Sequence, residues 1–226
     1  EYAMETSRER YIPALGYRFL SPVYDPVVSL TCREKTFKSR LLNQADLRHG
    51  HLVLDVGCGT GTLAVQMKKA VPKAEIVCID GDLEILSIAR GKAGRNNTEV
   101  RFSCCFSTQL PFRESSFDRA VSSLFFHHLS RTQKIATMQE IHRILKPGGQ
   151  LHVADWGKPT GMIMRSLFYF IQILDGFSTT SDNVKGLLPQ IIRQCGFDSV
   201  EICNNLPTIF GTMTLYSAIK PGPAKV

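Results

Sequence analysis

Between Val53 and Asp80 the chain carries residue types whose spacing suits the cradling of a nucleoside. Val53-Leu-Asp-Val-Gly57-Cys-Gly59-Thr-Gly61 is an apolar run opening into three alternating glycines. Glycine lets the chain turn sharply and brings its backbone within contact distance of a ligand, where a Cβ would intrude. The pattern is G-x-G-x-G and not the dinucleotide G-x-G-x-x-G, and alone it also fits a plain connector. Asp80, however, lies 19 positions beyond Gly61, close to the roughly 20-residue offset at which an acidic side chain accepts hydrogen bonds from ribose hydroxyls in nucleotide-binding α/β folds. Together they imply a nucleoside-bearing cofactor. The competing reading has Asp80 merely cap the helix that follows.

Such residues need a scaffold, and short β-branched runs alternate with helical periods from about residue 52. Residues 51–55 read as a first strand, 62–70 as a helix stopped before Pro72, and 75–80 as a second strand. Residues 83–93 read as a helix ended by Gly94, 99–105 and 119–125 as strands. The apolar face Ile135, Met138, Ile141 and Leu145 predicts a further helix, capped by Ser130 and stopped by Lys146-Pro-Gly-Gly149. Strand 150–156, a helix over 183–194 interrupted by Pro189, and strands 199–204 and 212–219 complete the chain. The last two strands have no helix between them, so they can pair antiparallel. This β-α-β-α order predicts a parallel sheet with helices on both faces. At 226 residues a single domain is expected. Within it, residues 1–50 form N-terminal cap or lid helices, 51–156 the cofactor-binding core, and 157–226 the acceptor-side helices and last two strands.

The same residues resemble the class I S-adenosylmethionine-dependent methyltransferases, in their UbiE/MenG-like branch. Val53 to Gly61 resembles the first motif of that family and Ile76-Val-Cys-Ile-Asp80 the second. Leu110-Pro-Phe112 with Ser116-Phe-Asp118 resembles the third, and Ile144-Leu-Lys-Pro-Gly-Gly149 the segment before the fifth strand. The resemblance is close over about residues 45–156 and looser elsewhere. It implies a Rossmann-like seven-stranded, mostly parallel sheet of order 3-2-1-4-5-7-6, with S-adenosylmethionine across the carboxyl ends of the strands. Asp55 would orient the glycine loop and the methionine amino group, and Gly57, Cys58, Gly59 and Gly61 would form the cradle. Asp80 and Gly81 would meet the ribose, and Leu83 would cover one adenine face. The family often has Gly-Asp-Ala where this chain reads Cys105-Phe106-Ser107. Phe106 packing on the ring, and Ser107, would replace the missing carboxylate. Ser122, at the end of the fourth strand, completes the cofactor set.

The sulfonium already activates the methyl group, so catalysis is chiefly positioning of an acceptor, and few side chains are obligatory. Those best placed to meet an acceptor follow the fourth and fifth strands: His127, His128, Asp155 and Trp156. His127 is the candidate proton acceptor, the competing reading for each histidine being a packed residue that supports the cleft. Adjacent residues at a strand end point apart, so only one of the two should face the acceptor. Tyr17 and Tyr24, with Phe19, would add an apolar wall together with residues 162–174, which read equally well as a core or lid helix.

The net charge of +7 and a pI near 9.1 are compatible with nucleic acid, anionic lipid or an acidic substrate. The basic clusters Arg33, Lys35, Lys38, Arg40 and Arg90, Lys92, Arg95, Arg101 read as solvated helix faces. The stretch after the fourth strand, Ser-Ser-Leu-Phe, lacks the Asn/Asp-Pro-Pro-Tyr of base-methylating enzymes, which argues against nucleic acid. The expected acceptor is a small, partly hydrophobic molecule. Alternatives are an RNA or a membrane lipid or quinone, with peripheral membrane contact, or a catalytically idle cofactor-binding or partner subunit. No apolar run reaches the roughly 20 residues of a membrane span. Seven cysteines without C-x-x-C spacing predict a reducing, cytoplasmic setting and no zinc knuckle. No metal site is expected, and the oligomeric state is not legible.

Overall fold

The computed structural model of the chain describes residues 33–159, 161, 164–166, 168–169, 172 and 176–222. The expected lid helices before residue 33, and much of the 162–174 stretch, lie outside these residues. Helix α1 (Glu34–Ala45) leads into β1 (Leu52–Val56), α2 (Thr62–Ala70), β2 (Glu75–Asp80), α3 (Leu83–Arg95) and β3 (Arg101–Cys104). There follow β4 (Phe117–Ser123), a single 3-10 turn at Phe126–His128, α4 (Arg131–Ile144), β5 (Leu145–Gly157), α5 (Phe177–Val184), α6 (Leu188–Gln194), β6 (Asp198–Pro207) and β7 (Thr212–Ile219). The strands form one seven-stranded sheet of order β3-β2-β1-β4-β5-β7-β6, as the resemblance implies. β7 runs antiparallel to both β5 and β6.

The central strands are apolar on both faces because helices cover both. On one face Val53, Ile76 and Cys78 pack with Phe37 and Leu41 of α1 and Leu63 and Met67 of α2. On the other, Leu54, Val56, Val77 and Ile79 pack with Met138, Ile141 and Ile144 of α4 and Leu188, Ile191 and Ile192 of α6. Full burial of each such aliphatic side chain contributes about 1.5–3 kcal/mol relative to exposure, so the sheet is a stiff platform for whatever its strand ends carry. Strand order reverses between β1 and β4, and there the Ser122 hydroxyl donates to the Val56 carbonyl at 2.8 Å. Ligands of open α/β sheets bind outside the carboxyl ends at this kind of reversal.

Helix starts follow local chemistry. Asp82 caps α3 by accepting from the Glu84 and Ile85 N–H groups, and Ser130 and Gln133 form a reciprocal capping box at α4. Several expected bounds shift for identifiable reasons. α3 continues through Gly94 to Arg95, and the left-handed residue beyond it is Asn97, at φ 49. The Lys146–Gly149 stretch does not wait outside β5: Gly148 N–H donates to Lys220 O and Lys220 N–H to Gly149 O, both at 2.9 Å, which draws it into the strand. The single helix expected over 183–194 is two, parted at Gly186 (φ 70), with Pro189 in the first turn of α6 where its missing N–H leaves no bond unmade. Among the described residues no helix is long and apolar enough to cross a membrane.

Candidate active site

The glycine turn joins β1 to α2. Gly57 has φ 67, and a Cβ there would lie 2.1 Å from the Phe125 ring, so the ring occupies the space a side chain would take. Gly59, at φ 53, would place a Cβ in open space with nothing within 4 Å, which makes it the bare floor of the turn. Gly61 abuts Ala89 of α3, whose Cβ would be 3.0 Å away. Lys92, expected on a solvated face, reaches back from α3 to the Thr60 and Thr62 hydroxyls at 2.8 and 2.7 Å. Cys58 turns its side chain into the core, leaving its backbone at the turn.

Asp80 does not cap α3, since Asp82 does. Its carboxylate accepts instead from the Gly59 N–H at 3.0 Å and the Asp82 N–H at 3.1 Å. Burial raises its pKa, while these backbone N–H groups pull it down. A carboxylate offers about four lone-pair sites, and with the Gly81 N–H also acting on it at least one remains for a hydroxyl donor. The loop-orienting role expected of Asp55 therefore falls to Asp80.

Asp55 is 1% exposed, and neither carboxylate oxygen has a hydrogen-bond partner among the described residues. Burial pushes its pKa up to about 7, opposed by the Lys38 ammonium and reinforced by Asp80. Lys38 is not the solvated residue expected; it is buried on α1 and paired with Glu34 at 2.5 Å. A buried carboxylate with no donor is costly to fold around. A ligand ammonium brought to β1's end would supply the missing N–H groups.

Leu83 and Phe106 flank the Asp80 end and stay 64% and 56% exposed, large apolar surfaces of the kind that cover a flat ring. Gly81 links β2 to the Asp82 cap, and its carbonyl lies 3.7 Å from the Cys104 thiol. Ser107 is buried, its hydroxyl shared with Thr137 of α4 at 2.8 Å.

The acceptor-side residues gather beyond β4 and β5. Leu124 takes a left-handed backbone, φ 54, and its N–H donates to Ala154 O at 2.8 Å, turning the chain into the 126–128 turn. His127 is 2% exposed, and its Nδ1 lies 2.7 Å from Asp155 Oδ1. Asp155 is fully buried and also accepts from the backbone N–H of His127 at 3.2 Å and of Trp156 at 2.7 Å. With Asp155 as acceptor, Nδ1 carries the proton and Nε2 of a neutral ring is left basic. His127 and His128 are expected to diverge; their rings instead lie against each other, tilted by 42° with centroids 3.9 Å apart, because both sit on a 3-10 turn and not on a strand end. Burial holds the His128 pKa well below the usual imidazole range, with the charges of His127 and Lys134 adding to that effect. Trp156 packs edge-on against His127 and Phe168. Tyr17 and Tyr24 lie outside the described residues.

Three further groups escape a reading of the sequence. Lys134, 0% exposed on α4, donates to Thr179 O at 2.6 Å and pairs with Asp182 at 3.7 Å. Asn183 of α5 donates to Trp156 O at 3.0 Å. Phe125 fills the space at Gly57. Only the last carried a signal, a second aromatic directly before the histidine pair.

A family model described as a methyltransferase domain matches residues 53–149. The chain is 32% identical over 186 residues to a demethylmenaquinone methyltransferase of Chlorobaculum parvum, covering 74% of this chain and 73% of that one. It is 27% identical over 180 residues to the ubiquinone/menaquinone biosynthesis C-methyltransferase UbiE of Geobacter sp. (strain M21), covering 76% and 75%. Among solved structures, the phosphoethanolamine N-methyltransferase 2 of Haemonchus contortus, in complex with phosphomonomethylethanolamine and S-adenosylhomocysteine, matches with TM-score 0.67 and 17% identity. The match covers 82% of this chain but about half, 52%, of that one, and speaks for the fold.

Proposed function

The chain belongs to the class I S-adenosylmethionine-dependent methyltransferases, in their UbiE/MenG-like branch, and on that premise we propose that it methylates a ring carbon of a small hydroxylated aromatic acceptor of the quinol kind. The observation that carries this reading is the buried His127–Asp155 pair at the carboxyl ends of β4 and β5, supported by the C-methyltransferase named among its relatives.

S-adenosylmethionine supplies an activated methyl group on a sulfonium. Asp55 would hold its ammonium, which would give the unpaired carboxylate its donors. The remaining acceptor capacity of Asp80 would take a ribose hydroxyl, and Leu83 and Phe106 would cover the adenine. Gly59 would let the backbone close in beneath.

A hydroxylated ring is electron-rich at the carbons beside its hydroxyls. With S-adenosylmethionine bound, one such carbon would form the new carbon–methyl bond as the sulfur–methyl bond broke, the bonding pair leaving with sulfur. The ring then loses the proton from that carbon to His127 Nε2 and regains aromaticity. Asp155 fixes the tautomer and favours the imidazolium that results. General-base help of this kind contributes typically ~10²- to 10⁴-fold.

Peripheral contact with a membrane surface belongs to the same proposal, supported by the +7 net charge and by the exposed aromatics Tyr169 and Phe177, as does a cytoplasmic setting, supported by the free cysteines of the described residues. The test is product analysis with 1,4-dihydroxynaphthalene, RNA and phospholipid vesicles offered separately. A carbon-methylated naphthalene product is expected. Methyl transfer only to oxygen, or only to RNA or lipid, would overturn the reading.

A further inference from the structure

We propose that Asn183 is a specificity-determining residue, its unpaired side-chain oxygen accepting a hydrogen bond from a hydroxyl of the acceptor ring. Like Asp55, Asn183 is fully buried and carries an oxygen, Oδ1, with no partner among the described residues. The amide orientation is fixed by its surroundings: Nδ2 faces the Trp156 carbonyl at 3.0 Å, and a flipped amide would set two oxygens against each other. The orphan atom is thus an acceptor in need of a donor, a state that buried amides rarely keep without a ligand or water.

Its neighbours on α5 are already satisfied. Thr180 is bonded to Gly176 O at 2.7 Å and to Gln172 at 3.0 Å. Asp182 is held by Arg131 and Lys134, and Thr179 O by Lys134. Among the described residues of α5, Asn183 alone combines a satisfied donor with a vacant buried acceptor. α5 packs on both the 126–128 turn and β5, and Trp156, which takes the Asn183 amide, directly follows the Asp155 that orients His127. Asn183 and His127 therefore share one end of the sheet. A neutral hydroxyl is a donor that fits a neutral amide oxygen, because it brings no charge into the buried site. An ether or ketone oxygen facing Oδ1 would be repelled, so the residue selects a ring with free hydroxyls over its methoxy or oxidised counterpart.

This inference rests on the quinol reading for the identity of the ring, and the experiment separates the two. Affinities of 1-naphthol and 1-methoxynaphthalene are measured by calorimetry on the protein loaded with S-adenosylhomocysteine, for wild type, Asn183→Leu and Asn183→Asp. The wild type should prefer 1-naphthol about tenfold or more, as one buried hydrogen bond warrants. Asn183→Leu should abolish the preference, and Asn183→Asp, whose buried carboxyl keeps its proton and donates it to the Trp156 carbonyl in place of the amide, leaves the other oxygen vacant and should retain it. Equal affinities in the wild type, or a preference surviving in Asn183→Leu that binds S-adenosylhomocysteine normally, would overturn the assignment. Should Asn183→Leu fail to bind S-adenosylhomocysteine, the 13Cγ resonance of Asn183 in the wild type decides. A shift with 1-naphthol but not with 1-methoxynaphthalene supports the role, and no shift removes it. Absence of methyl transfer to 1,4-dihydroxynaphthalene with the 1-naphthol preference intact would sink the quinol reading alone.

Discussion

The two ends of the cleft are built from different materials. At the cofactor end, backbone does most of the holding: three positive-φ glycines make the turn, and Asp80 grips main-chain N–H groups. At the acceptor end, side chains hold other elements across long stretches of sequence. His127 and Asp155 are 28 positions apart, Lys134 and Thr179 45, and Asn183 and Trp156 27. A site made of backbone tolerates few residue types at fixed spacing and serves one ligand. A site made of side chains can be refitted to another acceptor without touching the first.

That contrast predicts that damage to a side chain that leaves Phe125 in place spares the other end, most strongly at His127. His127→Ala is expected to lower kcat by roughly 10²- to 10⁴-fold while calorimetry returns S-adenosylmethionine affinity within about twofold of wild type, because the substitution leaves the contact of Phe125 with the Gly57 turn intact. A near-normal kcat would reduce His127 to a packing residue.

Next in size is Asp55→Asn, which removes the buried partner of the ligand ammonium and should weaken S-adenosylmethionine binding by about 2–5 kcal/mol while raising the melting temperature of the ligand-free protein. The pH dependence separates these effects. Folded Asp55 keeps its proton to about pH 7, whereas in the unfolded chain it is released near 3.8. The folded state thus binds more protons between those values, and the stability of wild type relative to Asp55→Asn should fall as pH rises from about 4 to 7. Cofactor affinity should move the other way, weakening below pH 7 in wild type only. His152, whose pKa burial depresses to about 4, destabilises the fold on acidification, but it does so equally in both proteins. Parallel stability curves for the two proteins would contradict the assignment.

Asp80→Ala should cost about 1.5–3 kcal/mol of cofactor affinity, with some loss of stability because Gly59 and Asp82 lose their acceptor. Unchanged binding in a folded variant would end the ribose role. Smallest in binding but sharpest in logic is a glycine pair. Gly57→Ala must displace Phe125 and should lose roughly 1–3 kcal/mol of stability beyond its backbone strain. Gly59→Ala meets open space and should lose only about 1 kcal/mol from its left-handed backbone, yet bind cofactor more weakly. Equal melting temperatures for the two would show that the Phe125 contact yields freely.

The same contrast explains what a reader of the sequence can see. The bounds of Thr62–Ala70, Glu75–Asp80 and Thr212–Ile219 are legible in full, because Pro72, the glycine turn and the flanking Gly81, Gly211 and Pro221 mark them. The sheet order is legible only through the four motifs taken together, since periodicity gives strands without their neighbours. Lys38 and Lys92 look like surface charges because a lysine in a helical period is usually solvated; only packing reveals that one is buried beside Glu34 and the other spent on two threonines. Lys134 and Asn183 are invisible for a related reason, since their partners come from segments that no spacing rule connects. The contact between the His127 and His128 rings depends on a 3-10 turn that a strand-end reading does not anticipate.

The Phe125 ring seated where Gly57 has no side chain joins these two ends. One carbon-wide gap is shared by the glycine turn and the segment that carries His127, so a backbone shift of either at that point is felt by the other. Linkage makes such a conversation symmetric. An acceptor that pushes on Phe125 alters the affinity for the cofactor by the same factor by which the cofactor alters affinity for the acceptor. The glycine is thereby a hinge pin of reciprocity, and the order in which two ligands arrive leaves the final balance unchanged.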